Sequence, residues 1–177
     1  MNRALSLTSR QALRVFAQRY GILFGVALVA LVADQGTKRI VEANLALYDS
    51  IPVIGHYLSW THTQNTGAAF SLLQGAGGLF VVIAVVVSAV IVYYAPRLPT
   101  WDWLSRVALG LQLGGALGNL IDRLRQGYVT DFIHFKIPEI GFDWPVFNIA
   151  DSCIVVGVVL LVALSLLREG RRKPARE

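Results

Sequence analysis

The chain has 177 residues, 55% hydrophobic and 15% charged, whereas an ordinary soluble domain carries about 25% charged residues. With the apolar residues gathered into long runs, this composition excludes a water-soluble globule. The formal charge of +5 comes largely from Arg3, Arg10, Arg14 and Arg19 before the first apolar run and from Arg168, Arg171, Arg172, Lys173 and Arg176 after the last, a placement that fits a membrane surface and excludes nucleic acid as a partner.

Residues 1–19 read as an interfacial amphipathic helix leading into the first of four spans, each of about the 20 residues a bilayer requires. The first span covers about 20–41. A cleaved signal peptide is the alternative reading, but the run continues into Asp34-Gln-Gly-Thr-Lys38, which has helical character. The loop over 42–64 contains Leu58-Ser-Trp-Thr-His-Thr63, rich in β-branched and aromatic residues and predicted as a strand. The second span, within 70–95, ends before Pro96, and the third covers about 104–121. In the loop 122–147, Asp131–Ile137 partly alternates and reads as a second strand. The fourth span covers about 149–167. Trp60, Trp101, Trp103 and Trp144 fall near the predicted interfaces. The expected fold is an all-α, single-domain, four-transmembrane-helix bundle with a small extracytoplasmic β-sheet and both basic termini in the cytoplasm. The lone cysteine, Cys153, permits no internal disulfide.

Ionisable residues inside spans are expensive and point to function. Asp34 and Lys38 lie four apart on one helix face and can pair, the structural reading being an ion pair that fixes the helix. The third span carries two small-residue rows, Gly110-Gly114-Gly118-Asp122 and Gly115-Asn119-Arg123. Close helix packing explains the glycines. It does not explain Asn119, Asp122 and Arg123 at the outer ends of the rows. Beyond them lie Val129-Thr-Asp131-Phe132 and Phe147-Asn-Ile-Ala-Asp151, where Asn148 or Asp151 also suits a helix N-cap. Asp131 and Asp151 at one end of an apolar bundle can share a proton, because like charges close together resist double ionisation. The ionised partner then draws a proton from water while the protonated one supports the scissile carbonyl. Other chemistries fit less well. There is no HExxH or GxSxG, His56, His62 and His134 lack metal-ligand spacing and read as interfacial or loop residues, and a Ser71–Lys38 pair is a remote option. A proton-coupled transporter or a scaffold glued by polar residues are the rival classes.

The stretches Asp34-Gln-Gly-Thr-Lys38, Asn65-Thr-Gly-Ala-Ala-Phe-Ser71, Gly114-Gly-Ala-Leu-Gly-Asn-Leu-Ile-Asp-Arg123, Val129-Thr-Asp-Phe132 and Phe147-Asn-Ile-Ala-Asp151 together resemble the lipoprotein signal peptidases, the bacterial signal peptidase II family, in the family's order. The resemblance implies an aspartic endopeptidase of the bacterial inner membrane that removes the signal peptide of a diacylglyceryl-modified prolipoprotein, cutting on the amino side of the lipidated cysteine. It implies Asp131 and Asp151 as the catalytic pair near the extracytoplasmic face. Asn65, Gly67, Asn119, Arg123, Asn148 and Ala150 fall at positions around substrate and pair, with Asp34, Lys38 and Asp122 in support. It further implies membrane lipid as a partner, no metal or organic cofactor, and inhibition by globomycin.

Overall fold

The computed structural model describes residues 9–67 and 77–172. Four helices, α1 (Ser9–Asn44), α2 (Gly77–Tyr94), α3 (Trp103–Gln126) and α4 (Ile149–Arg172), are joined by short strands β1 (Ser50–Ile54), β2 (Leu58–Asn65), β3 (Val129–Ile137) and β4 (Phe142–Asp143). Helix α1 is continuous from Ser9, so the predicted interfacial helix is not a separate element over 9–19. Nothing in that stretch breaks the helix: it contains no proline and no glycine. Residues 1–8, and the predicted start of the second span at 70–76, lie outside the described residues.

Among the described residues, three helices are long and apolar enough to cross a membrane, over Gln11–Asn44, Gly77–Arg97 and Ile149–Gly170. Their apolar side chains face outward: Val29 is 70% exposed and Val159 61%. Such surface is stable against lipid and not against water. Helix α3 differs. It packs against α1, α2 and α4 and is the central element of the bundle, so its buried face tolerates Asn119 and Asp122. The two small-residue rows address different neighbours. A Cβ on Gly114 would stand 2.6 Å from the Ala27 carbonyl oxygen of α1, while one on Gly115 would collide with the Ala150 carbonyl of α4. Helix α3 starts at Asp102, whose carboxylate accepts from the Ser105 N–H, and stops at Gly127, which adopts φ +81°.

At the opposite end from Asp102 the strands form one antiparallel sheet in the order β1-β2-β3-β4. Both predicted strands are present, each somewhat longer than expected. Phe132 of β3 packs with Val41 of α1 and Leu45 just after it, which fixes the sheet on the helix ends. Strands β1 and β4, at five and two residues, are too short to carry the composition or alternation that marks the other two. The four tryptophans are all exposed, from 41% at Trp60 to 70% at Trp101, as an aromatic belt requires. His62 departs from its expected loop setting. It is buried in β2, its ring nitrogen 3.0 Å from the Leu45 carbonyl oxygen.

Candidate active site

The first turn of α4 sets up the centre. Asn148 precedes the helix, and its side-chain oxygen accepts from the Asp151 N–H at 2.9 Å, while the Asp151 carboxylate accepts from the Asn148 N–H at 3.3 Å. This reciprocal arrangement is a capping box built from Asn and Asp. Both residues therefore cap the helix, and Asp151 keeps a further oxygen, which accepts from Asn119 Nδ2 of α3 at 2.7 Å. Asp131 reaches the same place from β3. Its carboxylate accepts from Asn148 Nδ2 at 2.6 Å and from Asn65 Nδ2 of β2 at 3.0 Å. Asn148 thus bonds both aspartates, and Asp131 is buried. Burial, together with the negative charge of Asp151, pushes the Asp131 carboxyl up to about 7, against the opposing bonds from Asn65 and Asn148.

Beneath the pair lies a buried ionic cluster. Lys38 Nζ contacts Asp34 at 2.8 Å, Asp122 at 2.7 Å and the Asn119 side-chain oxygen at 2.9 Å. Asp34 also accepts from the Ala150 backbone N–H at 2.9 Å, and all of these side chains are buried. The expected Asp34–Lys38 pair is present, and Asp122 makes it a triad. Arg123 donates to the Gly67 carbonyl at 3.1 Å, and the Gly67 N–H donates to Asn65 at 3.0 Å, which ties the end of β2 to α3. The structure therefore gathers Asp131, Asp151, Asn65, Gly67, Asn119, Arg123, Asn148, Ala150, Asp34, Lys38 and Asp122 in one region. Ser71 lies outside the described residues. His56 and His134 stay apart from the centre, held to Glu139 and Asp143 at 2.7 Å each.

Two supporting residues escaped the sequence reading. Gln35 Nε2 bonds Asp122 at 2.8 Å and the Gly118 carbonyl at 3.2 Å. Thr130 is fully buried and gives its hydroxyl proton to Glu42 at 2.6 Å. Gln35 was adjacent to a marked residue, so its polarity within a span was an available signal. Thr130 is likewise adjacent to a marked residue, but strand alternation puts it on the face opposite Asp131, where packing brings it to Glu42 of α1 and Asp122 of α3.

The two aspartates open onto a groove of about 700 Å³ between α2 and α4, floored by α3. Its walls are mostly apolar, with Phe80, Ile83 and Val87 on one side and Ile154 and Val155 on the other. Asn65, Arg123 and Trp144 stand at the same end as the aspartates. Such a cleft takes an apolar chain along its length and presents two carboxyls at one end.

Comparison with known proteins agrees in length and fold. The family model described as Signal peptidase (SPase) II matches residues 26–167. The lipoprotein signal peptidase of Acinetobacter baylyi is 41% identical over 170 residues, covering 94% of this chain and 93% of its own. That of Bacillus subtilis is 44% identical over 152 residues, covering 86% and 97%. A bacterial membrane enzyme solved by the in meso method at 2.3 Å aligns with a TM-score of 0.79 at 36% identity, over 89% of this chain and 94% of that one.

Proposed function

The chain belongs to the signal peptidase II family, whose members are aspartic-type peptidases that remove signal peptides from prolipoproteins, and from that premise we propose that Asp131 and Asp151 are its catalytic pair. The observation that carries this reading is Asn148 bonding both carboxyls, Asp131 buried and Asp151 half-buried, at the mouth of an apolar groove. The pair holds one proton between its members. The ionised carboxylate takes a proton from a water molecule, the resulting oxygen attacks the scissile carbonyl, and the protonated carboxyl donates to the developing oxyanion. The first carboxyl then gives the water's proton to the departing amine as the C–N bond breaks, and the second recovers its proton from the hydroxyl of the tetrahedral intermediate, which restores the pair. Asn65, Asn119 and Asn148 hold the carboxyls in place, Arg123 fixes the backbone at Gly67, and the Lys38 cluster anchors Asn119 from below.

The substrate is a prolipoprotein whose cysteine carries diacylglyceryl, cut on the amino side of that cysteine. The apolar walls suit acyl chains and a signal segment held in the bilayer, and confinement to two dimensions supplies part of the orientation that catalysis needs. The layout that goes with this reading has four spans, with α3 the fourth, in the bacterial inner membrane. Basic ends place both termini in the cytoplasm, which leaves the sheet and the aspartates near the extracytoplasmic face. Purified protein in detergent is expected to cleave a diacylglyceryl-modified prolipoprotein and to leave the unlipidated precursor largely intact. Robust cleavage of the unlipidated form would remove the lipid from the proposal.

A second expectation concerns pH. A carboxyl raised from 3.8 to about 7 keeps its proton through the acidic range and loses it as pH rises through that value. The pair then carries two negative charges and has no proton to donate. Above about pH 7, kcat/KM is expected to fall about tenfold per unit, as for loss of one essential proton. A pH–rate profile still rising at pH 9 would contradict the shared proton.

A further inference from the structure

Gln112 is a polar residue that the proposed chemistry leaves unused. It shares a stripe of α3 with Ala116, Asn119 and Arg123, and all four line the groove. At 1.5 Å per residue it stands about 10 Å along the helix from Asn119, on the side away from the sheet. The neighbouring walls there are apolar, with Ala84 and Val87 on α2 and Ile154 and Val155 on α4. Its amide nitrogen is shielded from solvent and has no hydrogen-bond partner among the described residues. An unpaired amide in apolar surroundings is unfavourable, and methionine would fill the same volume without that penalty. The fold nevertheless makes room for it: a Cβ on Gly157 of α4 would stand 2.7 Å from Gln112 Cγ.

A peptidase acts on an extended segment, whose carbonyls are free of the bonds a helix would give them. Inside a bilayer such carbonyls have no water to bond and need a donor. An extended chain advances about 3.3 Å per residue, so about three residues span the distance from Asn119 to Gln112. We infer that Gln112 is a substrate-binding residue whose amide, turned from its shielded position toward the groove that the residue lines, donates to a main-chain carbonyl of the signal peptide about three residues before the cleaved bond. This rests on the proposed function, in which that segment descends along the α3 floor from the aspartates. A donor aimed at backbone rather than side chain selects for an unwound segment before the cut, since a helix has already used its carbonyls internally.

Synthetic diacylglyceryl lipopeptides test it, one all-amide and a series with an ester replacing the amide at single positions from two to five residues before the scissile bond. An ester carbonyl is the weaker acceptor. With wild-type enzyme, one ester near the third position is expected to lower kcat/KM about tenfold, the size of a hydrogen bond inside a membrane protein. Gln112→Met is expected to lose a similar factor on the all-amide substrate and to lose nothing further on that ester. Wild-type enzyme indifferent to every ester overturns the inference without recourse to any variant. So do two losses that multiply, or a Gln112→Met enzyme that cleaves the all-amide peptide like wild type. Failure of wild type to cleave the all-amide lipopeptide is a different result, which overturns the proposed function and this inference with it.

Discussion

Asp131→Asn and Asp151→Asn are each expected to lower cleavage of a lipidated prolipoprotein by at least about a thousandfold, within the range for removing a group that moves a proton in the transition state. Neither is expected to lower thermal stability in detergent by more than the worth of one hydrogen bond, about 1 kcal/mol. Asparagine keeps the shape and one acceptor oxygen, so the bond from Asn65 or Asn119 keeps its partner while the one from Asn148 is lost. At Asp131 the change also removes a charge that burial and the neighbouring Asp151 disfavour, so the midpoint should hold or rise. Activity and stability moving in opposite directions is the signature of a catalytic pair. Alanine would be a poorer choice at Asp151, because loss of the capping box alone costs about 0.5–2 kcal/mol. Cleavage persisting in either asparagine variant would sink the pair.

The largest stability effect is expected at Lys38. The side chain is 2% exposed and holds two carboxylates, from Asp34 and Asp122, that are themselves buried. Lys38→Met keeps most of the volume and removes the cation, which leaves the two acids facing each other without a counter-charge. Breaking a buried pair in this way costs about 3–5 kcal/mol. Denaturant unfolding in detergent should show it. The triple change Lys38→Met, Asp34→Asn, Asp122→Asn should recover much of the loss, because the cost lies in uncompensated charge and not in packing. A Lys38→Met protein as stable as wild type would show that the cluster contributes nothing net. Cleavage should fall as well, since Asn119 loses the lysine bond that orients it toward Asp151.

The long apolar helices and their polar exceptions were legible along the chain because a bilayer imposes a length and a composition on each segment that crosses it, whatever the rest of the molecule does. The same holds for the glycine rows of α3, whose spacing of four follows from helix geometry. The partners of those rows were not legible. Gly114 meets α1 and Gly115 meets α4, a choice that depends on how three helices surround a fourth. The continuity of α1 through its basic N-terminal part was also misread as a separate interfacial element, since the shift from polar to apolar residues changes the environment of a helix without ending it.

The two aspartates show the division most clearly. Sequence alone determined that Asp131 lies beyond the third span and Asp151 in the first turn of the fourth, among residue types able to donate to carboxylates, because charge inside or beside an apolar run is too unfavourable to be incidental. It also marked Asp151 as a candidate cap at the start of a helix. Only the tertiary structure decided that capping and carboxylate pairing coexist in that residue, through its two oxygens and the bridging Asn148. Likewise, only the fold turned the Asp34–Lys38 pair into a triad with Asp122 and set Gln112 along an apolar groove with its amide nitrogen unpaired. Apart from the cap itself, these contacts join residues at least 17 positions apart. Local spacing constrains what shares a helix face, whereas contacts at that separation arise only when helices and sheet pack together.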